Sequence, residues 1–212
     1  FGTSFLRDAN GHIVHENSAG YPQPVIDNNR KILGFGVAPE QIGLGASFRY
    51  KDWNASLLVE GKVGGQIMSG SNSEMLGRGL HKMTVPAGGR EAGFTPDGVM
   101  EDGSAVSQSL TVAQQQNYWN KYNDAAEAGI YDADYMRLRN VSIGYNLPSS
   151  MLEGSSIESA SISLIGKNLF FLSNGVDNID PESAYNSNNS QGLEYWGMPV
   201  PRTVGVNVNL KF

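Results

Sequence analysis

The chain has 212 residues, no cysteine and a formal charge of −6. Without cysteine it forms neither a disulfide framework nor a thiolate metal site, and its mild acidity argues against nucleic acid as a partner. Its apolar runs are far shorter than the ~20 residues that a membrane helix needs. Strands that cross a membrane leave only a dispersed, alternating signal, so both a soluble all-β protein and a membrane β-barrel stay open.

Residues 1–41 predict a loop that contains a hairpin. Asp8, Asn10 and Gly11 are residue types that favour tight turns, and we expect His12 and His15 to lie on this exposed hairpin. No histidine has a partner at the spacing of metal ligands, so the sequence predicts neither a metal site nor a cofactor.

Residues 42–67 predict a pair of strands joined by a very short turn. Apolar side chains fall on every second position, which is the period of a half-buried strand. Only Lys51 and Asp52 separate the two alternating segments, so the strands are expected to be antiparallel neighbours. On the apolar face we expect Leu44, Ala46, Phe48, Tyr50, Trp53, Ala55, Leu57, Val59, Val63 and Ile67.

Residues 68–133 predict a long, glycine-rich loop on the extracellular side. Tyr118, Trp119 and Tyr122 lie in a Gln- and Asn-rich run that is expected to form a short helix. These aromatic side chains are candidate ligand-binding residues, because long loops on rigid scaffolds often bind sugars or peptides. Alternatively they form a small core that belongs to the loop itself, and we favour this second interpretation.

Residues 134–171 predict a second strand pair, with Val141 and Ile143 on the apolar face. Arg137 and Arg139 share that parity, although an arginine in the middle of a barrel's lipid face costs about 2–4 kcal/mol. Either both arginines lie beyond the apolar band, or a bulge near Asn140 changes the parity. The sequence leaves the choice between lipid and lumen open.

Residues 172–201 predict a second long extracellular loop. Tyr195 and Trp196 are candidate ligand-binding residues, with packing against a lid protein as the alternative. Asp180 and Glu182 flank Pro181 and are expected to fix a turn rather than to bind a metal.

Residues 202–212 predict the last strand of the chain. Val204, Val206, Val208 and Leu210 alternate with small or polar residues, and Phe212 follows them. This alternation, closed by an aromatic residue, is typical of outer-membrane strands. We expect Phe212 to act as an assembly signal for insertion into the membrane.

The connectors support a barrel segment. The short connectors at residues 51–52 and 148–154 alternate with the two long ones, as periplasmic turns alternate with extracellular loops in bacterial barrels. Tyr50, Trp53, Tyr145 and Phe212 fall near the short-turn edge, where an aromatic girdle is expected. About five strands cannot close a barrel, because closed barrels begin at about eight. Since the chain also begins at Phe1, we expect it to be the tail of a longer protein.

Four segments together resemble the carboxy-terminal end of the SusC/RagA family of TonB-dependent outer-membrane transporters. They are residues 131–148 (YDADYMRLRNVSIGYNLP), 166–170 (GKNLF), 180–182 (DPE) and 201–212 (PRTVGVNVNLKF). The resemblance implies an all-β, antiparallel transmembrane segment, roughly the last five strands of a 22-stranded barrel. It also implies the remaining barrel with its plug, the TonB complex and a SusD-like lipoprotein as partners, and the import of oligosaccharides or peptides.

Two other classes of protein are alternatives to a transporter. A soluble all-β glycan-binding or adhesion module shows the same alternation, and its behaviour in water without detergent distinguishes it. A barrel enzyme needs a Ser/His pair at the rim, and no histidine is suitably placed for that. The sequence therefore predicts that the chain is not an enzyme.

Overall fold

The computed structural model describes residues 1–183 and 191–212. Within them the regular secondary structure is mostly β-strand with two short α-helices, which agrees with the all-β prediction. None of the described helices is long and apolar enough to cross a membrane. In chain order the elements are β1 Gly2–Phe5, β2 Val14–Glu16, β3 Gln23–Pro24, β4 Ile26–Lys31, β5 Glu40–Tyr50, β6 Trp53–Val63, β7 Gln66–Ser69, α1 Gly70–Gly77, β8 Val99–Met100, α2 Val112–Asn123, β9 Ile130–Asp132, β10 Tyr135–Asn146, β11 Ser159–Lys167, β12 Phe171–Asn174, β13 Leu193–Glu194 and β14 Thr203–Lys211.

The chain divides into two compact units. The sheet unit comprises Val37–Gly65, Asp132–Ser183 and Met198–Phe212, and the mixed unit comprises Phe1–Gly36, Gln66–Tyr131 and Ala184–Gly197. The sheet unit is built on one antiparallel sheet in the order β14-β11-β10-β6-β5, and β12 pairs with the beginning of β10. The sheet is open, with β5 and β14 at its edges.

The strand register fixes which connections lie at the same end of the strands. Tyr50 pairs with Trp53, which also pairs with Tyr145, so the turns at residues 51–52 and 147–158 lie at one end, the short-turn end. Val63 pairs with Glu40 at the other end, where β10 also begins. The two long connections therefore leave the sheet from the same end, as their lengths predict.

The predicted strand pair 42–67 is too long at its second end. β6 ends at Val63, because Gly64 adopts a φ of +84° and turns the chain away from the sheet. The chain resumes as β7, which pairs with β13 in a different sheet. Ile67, predicted on the apolar outer face, is instead buried in the mixed unit.

The predicted strand pair 134–171 is interrupted in its second half. β11 ends at Lys167, and Asn168 adopts a left-handed φ of +52°. After this turn β12 pairs again with β10, with Tyr135 opposite Asn174.

The mixed unit contains small sheets and two helices around an aromatic core. β1 pairs with β4, β2 lies between β3 and β8, and β7 lies between β13 and β9. The residues that the sequence assigned to the long loop 68–133 therefore form much of a folded unit. Its core consists of Tyr21, Leu76, Leu110, Tyr118 and Trp119.

The predicted hairpin at residues 8–11 is present. The Gly11 N–H donates to the Asp8 carbonyl, and Arg7 and Ile13 form an isolated antiparallel β-bridge. His12 is exposed on it, as expected. The prediction for His15 is wrong, since its side chain is fully buried in β2. Its Nε2 lies 3.2 Å from the Tyr118 hydroxyl, and burial lowers the pKa of the imidazole.

Candidate functional site

One face of the sheet unit is apolar from edge to edge, and it is uncovered. In the middle row, Val206, Leu164, Ile143, Ala55 and Phe48 lie side by side across all five strands. Val206 is 65% exposed and Phe48 is 67% exposed. A continuous apolar surface of this extent is rare on a protein that meets only water, so this face is suited to an apolar medium.

The aromatic side chains of this face gather near the short-turn end of the strands. Tyr50, Trp53 and Tyr145 occupy one row, and the Trp53 and Tyr145 rings lie 4.9 Å apart. Phe212 follows β14 at the same end of the strands and is exposed. Aromatic residues of barrel strands gather in the same way at a membrane interface, and the role of Phe212 as an assembly signal stays a prediction.

The opposite face of the sheet carries small and polar residues. Asn207, Ser163, Gly144, Asn54 and Arg49 form the neighbouring row across the same five strands. The alternation therefore gives the sheet two faces that suit different solvents. Such a division matches the lipid and lumen faces of a barrel wall.

A bulge settles the orientation of the two arginines of β10. Leu138 pairs with Val59 and Asn140 with the next residue, Leu58, so Arg139 is the extra residue of a β-bulge. An extra residue reverses which side chains of the strand face each side of the sheet. Before the bulge, Arg137 therefore lies opposite Glu60 on the polar face. Of the two explanations that the sequence left open, the bulge is the one that the structure shows.

Both arginines bind the acidic residues around Pro181. Arg137, which is 2% exposed, donates to Asp180 Oδ2 at 2.5 Å and to Glu182 Oε2 at 2.6 Å. Arg139 donates to Glu182 at 2.6 and 3.0 Å and to Glu60 at 2.6 Å. We call these five residues the arginine cluster.

The arginine cluster holds the segment that follows β12 against β10. Asp180 Oδ2 also accepts the Val200 N–H at 3.0 Å, just before β14. Burial alone would raise the pKa of the Glu182 carboxyl, but hydrogen bonds from Arg139 and Tyr135 and the two guanidinium charges lower it below its ordinary value. Asp180 and Glu182 thus fix a loop, as predicted, and their partners are arginines that sequence reasoning did not pair with them.

The helix with the candidate aromatic residues is present as α2, and its aromatic stripe faces inward. Thr111 caps the helix, and Gln114 completes a capping box. Gln115, Tyr118, Trp119 and Tyr122 recur at helical spacing on one side. The candidate ligand-binding role of Tyr118 and Trp119 is therefore corrected, because both rings are buried in the core of the mixed unit.

Tyr122 is also packed rather than free, since its ring lies 4.4 Å from that of Phe5. The small core that the sequence offered as the alternative is the interpretation that the structure supports. Tyr195 and Trp196, by contrast, lie exposed after β13. No group of three or more His, Asp or Glu side chains within the described residues is arranged to hold a metal ion.

Comparison with known proteins identifies relatives of the chain. No protein-family model matches it. The TonB-dependent receptor P3 of Formosa agariphila is 28% identical over 190 residues, which cover 87% of this chain and 17% of the receptor. The chain thus spans about a sixth of the length of this relative.

Solved structures of the RagAB peptide importer share the fold. The 'closed-closed' state has a TM-score of 0.60 at 17% identity, covering 98% of this chain and 20% of the importer chain. The 'open-open' state has a TM-score of 0.64 at 16% identity, covering 100% and 22%. These relatives are a receptor and an importer rather than enzymes. The comparisons confirm that the chain resembles part of a TonB-dependent receptor and shares its fold with part of the RagAB importer, as its sequence indicated.

Proposed function

We propose that the chain is part of an outer-membrane TonB-dependent nutrient importer of the SusC type. In this proposal the five long strands are wall strands of a barrel of about 22 strands, and the free edges of β5 and β14 pair with strands outside the chain. A closed wall is required because unpaired backbone groups in lipid cost several kcal/mol each. The two long connections then lie on the extracellular side and the short turns in the periplasm.

The observation that carries the proposal is the uncovered apolar face of the sheet. Its strands have 9–12 residues, which is close to the ~9–11 that a tilted strand needs to cross a bilayer. A soluble module would have to cover the row from Val206 to Phe48 with a second layer. The girdle position of Tyr50 and Trp53 supports the same orientation.

The cargo and the partners follow from the resemblance and from the relatives. We expect uptake of peptides or oligosaccharides, a SusD-like surface lipoprotein as partner, and energy from the TonB complex through the remainder of the protein. RagAB is named a peptide importer, which favours peptides by analogy alone. The chain contributes wall and surface regions and no catalysis.

Uptake by the full-length protein tests this function. Cells with and without the transporter are supplied with a ¹⁵N-labelled tryptic digest or with ¹³C-labelled oligosaccharides, and each experiment is repeated with TonB inactivated. We expect accumulation of one class, dependent on TonB, and release of the protein from the outer-membrane fraction only by detergent. A full-length protein that stays in water without detergent would instead establish the soluble binding module.

A further inference from the structure

Two exposed aromatic rings follow β13 in the mixed unit. Tyr195 is 53% exposed and Trp196 is 62% exposed. Their rings lie nearly perpendicular, at 81°, with centroids 6.2 Å apart. Together they form an exposed apolar corner, whereas Tyr118 and Trp119 of α2 are packed inside.

The backbone at Trp196 is in a conformation that bulky residues rarely adopt. Its φ is +54°, in the left-handed region that favours glycine. Strained backbone at a large exposed side chain is not selected by packing, and such strain clusters at binding sites. The surrounding structure must therefore hold the Trp196 backbone in this conformation.

A buried carboxylate supplies that constraint. Glu194 is 1% exposed, and it accepts hydrogen bonds from Ser71 Oγ at 2.6 Å, Ser69 Oγ at 2.7 Å and the Gly197 N–H at 3.0 Å. Ser71 Oγ in turn accepts the Trp196 N–H at 2.8 Å. A buried polar group is stable only when it is well hydrogen-bonded, and these bonds lie on both sides of the aromatic pair in sequence.

The Tyr195 ring is fixed by a close approach to the start of α1. A Cβ added to Gly70 would lie 2.0 Å from Tyr195 Cδ2, so the ring rests directly on the Gly70 backbone. Any side chain at this position would displace the ring. Tyr195 and Trp196 are thus both anchored to the first turn of α1, one by contact and one by hydrogen bonds.

We propose that Tyr195 and Trp196 form a contact for the imported ligand, with Glu194 and Gly70 as positioning residues. The proposal rests on the importer function and adds the chemistry of the ligand: a flat, apolar C–H face, as on a pyranose ring or an apolar peptide side chain. Packing of the same rings against a lid protein is the alternative, and it would leave the rings unprotected by added ligand.

The variant Trp196→Gly separates the ring from the backbone. Glycine accepts the left-handed φ without strain, so folding is preserved while the aromatic surface is lost. Lys51→Gly is the matched control, because Lys51 also has a positive φ, of +51°, but lies in the turn between β5 and β6. Gly70→Ala and Glu194→Gln shift the rings without removing them.

The measurement is uptake of the ¹⁵N-labelled peptide digest and of the ¹³C-labelled oligosaccharides by full-length variants at matched surface abundance. For Trp196→Gly we expect a loss of about tenfold at low ligand concentration with a nearly unchanged maximal rate, as for a lost binding contact. Gly70→Ala and Glu194→Gln should lose uptake by severalfold in the same way, and Lys51→Gly should match wild type. The labelled pool that wild type accumulates identifies whether the apolar face belongs to a sugar or to a peptide.

Accessibility of the corner gives a second measurement. In a cysteine-free background, Trp196→Cys should react with a membrane-impermeant maleimide on whole cells, and added ligand should slow the reaction. Normal uptake by Trp196→Gly, or labelling that ligand does not slow, would overturn the ligand contact. Wild-type cells that import neither pool would refute the importer function itself, which is a distinguishable result.

Discussion

The sheet unit and the mixed unit sort their apolar side chains in opposite ways. In the mixed unit Leu76 and Trp119 are buried in an aromatic core. In the sheet unit Val206 and Phe48 lie on one face of the sheet and are exposed. The hydrophobic effect drives apolar surface inward only where water is the solvent. The difference therefore supports the proposal that the apolar face of the sheet lies in a membrane.

Buried polar groups also differ between the two units. The sheet unit buries opposite charges against each other, with Arg137 bound to Asp180 and Glu182. The mixed unit buries single ionisable groups on neutral partners, with Glu194 on serine hydroxyls and His15 beside a tyrosine hydroxyl. Removal of a single residue is therefore most costly in the arginine cluster, where it leaves charges uncompensated.

The largest effect is expected for Arg137→Ala. This change leaves the buried Asp180 without its guanidinium partner and Glu182 with Arg139 alone, and breaking a buried ion pair in this way costs about 3–5 kcal/mol. The measurement is the free energy of unfolding of the full-length protein in detergent micelles. Arg49→Ala, on the exposed polar face of β5, should stay within about 0.5 kcal/mol of wild type. An equal loss in both variants would contradict the structural role of the arginine cluster.

A leucine pair tests the core of the mixed unit. Leu76 is fully buried and Leu80 is largely exposed, four residues later. Leu76→Ala should cost about 2–5 kcal/mol because it opens a cavity in a packed core. Leu80→Ala should cost less than about 0.5 kcal/mol. Limited proteolysis of the full-length protein at residues 66–131 reports this local stability, and similar cleavage of the two variants would refute the assigned core.

The division between the two faces of the sheet is tested by one charge at neighbouring positions of β14. Val206→Arg places a guanidinium in the middle of the apolar face, where we expect a cost of about 2–4 kcal/mol in lipid. Asn207→Arg places it on the polar face at almost no cost. Outer-membrane abundance of the two full-length variants is the readout. Normal abundance of Val206→Arg would show that the apolar face does not meet lipid.

Much of the sheet could be predicted from the sequence, because its signal is local. Alternation between Trp53 and Val63 and between Thr203 and Lys211 identifies the strands and their faces without any knowledge of partners. Interruptions were harder to predict. Gly64 and Asn168 end strands through positive φ values, and neither residue type requires that conformation. The first predicted strand pair therefore extends to Ile67, four residues past the end of β6, and the second extends past the end of β11 at Lys167.

The sites depended on contacts between residues distant in sequence. Arg137 and Arg139 at apolar positions signalled that the alternation must break, and the bulge at Arg139 is that break. Their pairing with Asp180 and Glu182, more than 40 residues away, has no local signal. Likewise, the spacing of Tyr118, Trp119 and Tyr122 predicts one helix face, but burial by Leu76 and Tyr21 is a property of the folded unit.

The smallest expected effect concerns acid sensitivity, which should reside in the arginine cluster. The folded-state pKa of Glu182 lies below its ordinary value of 4.5, so its ionised form is favoured by folding. A depressed pKa contributes stability that is present above the unfolded-state value and is lost as the pH falls through the folded-state value. Glu182→Gln should therefore be less stable than wild type at pH 7, and the difference should shrink below about pH 4.5. Unfolding of full-length wild type and Glu182→Gln across pH 7 to 3 measures this. A stability difference that is constant with pH would assign Glu182 a steric role, and the cluster would then not distinguish the sheet unit from the mixed unit in its response to acid.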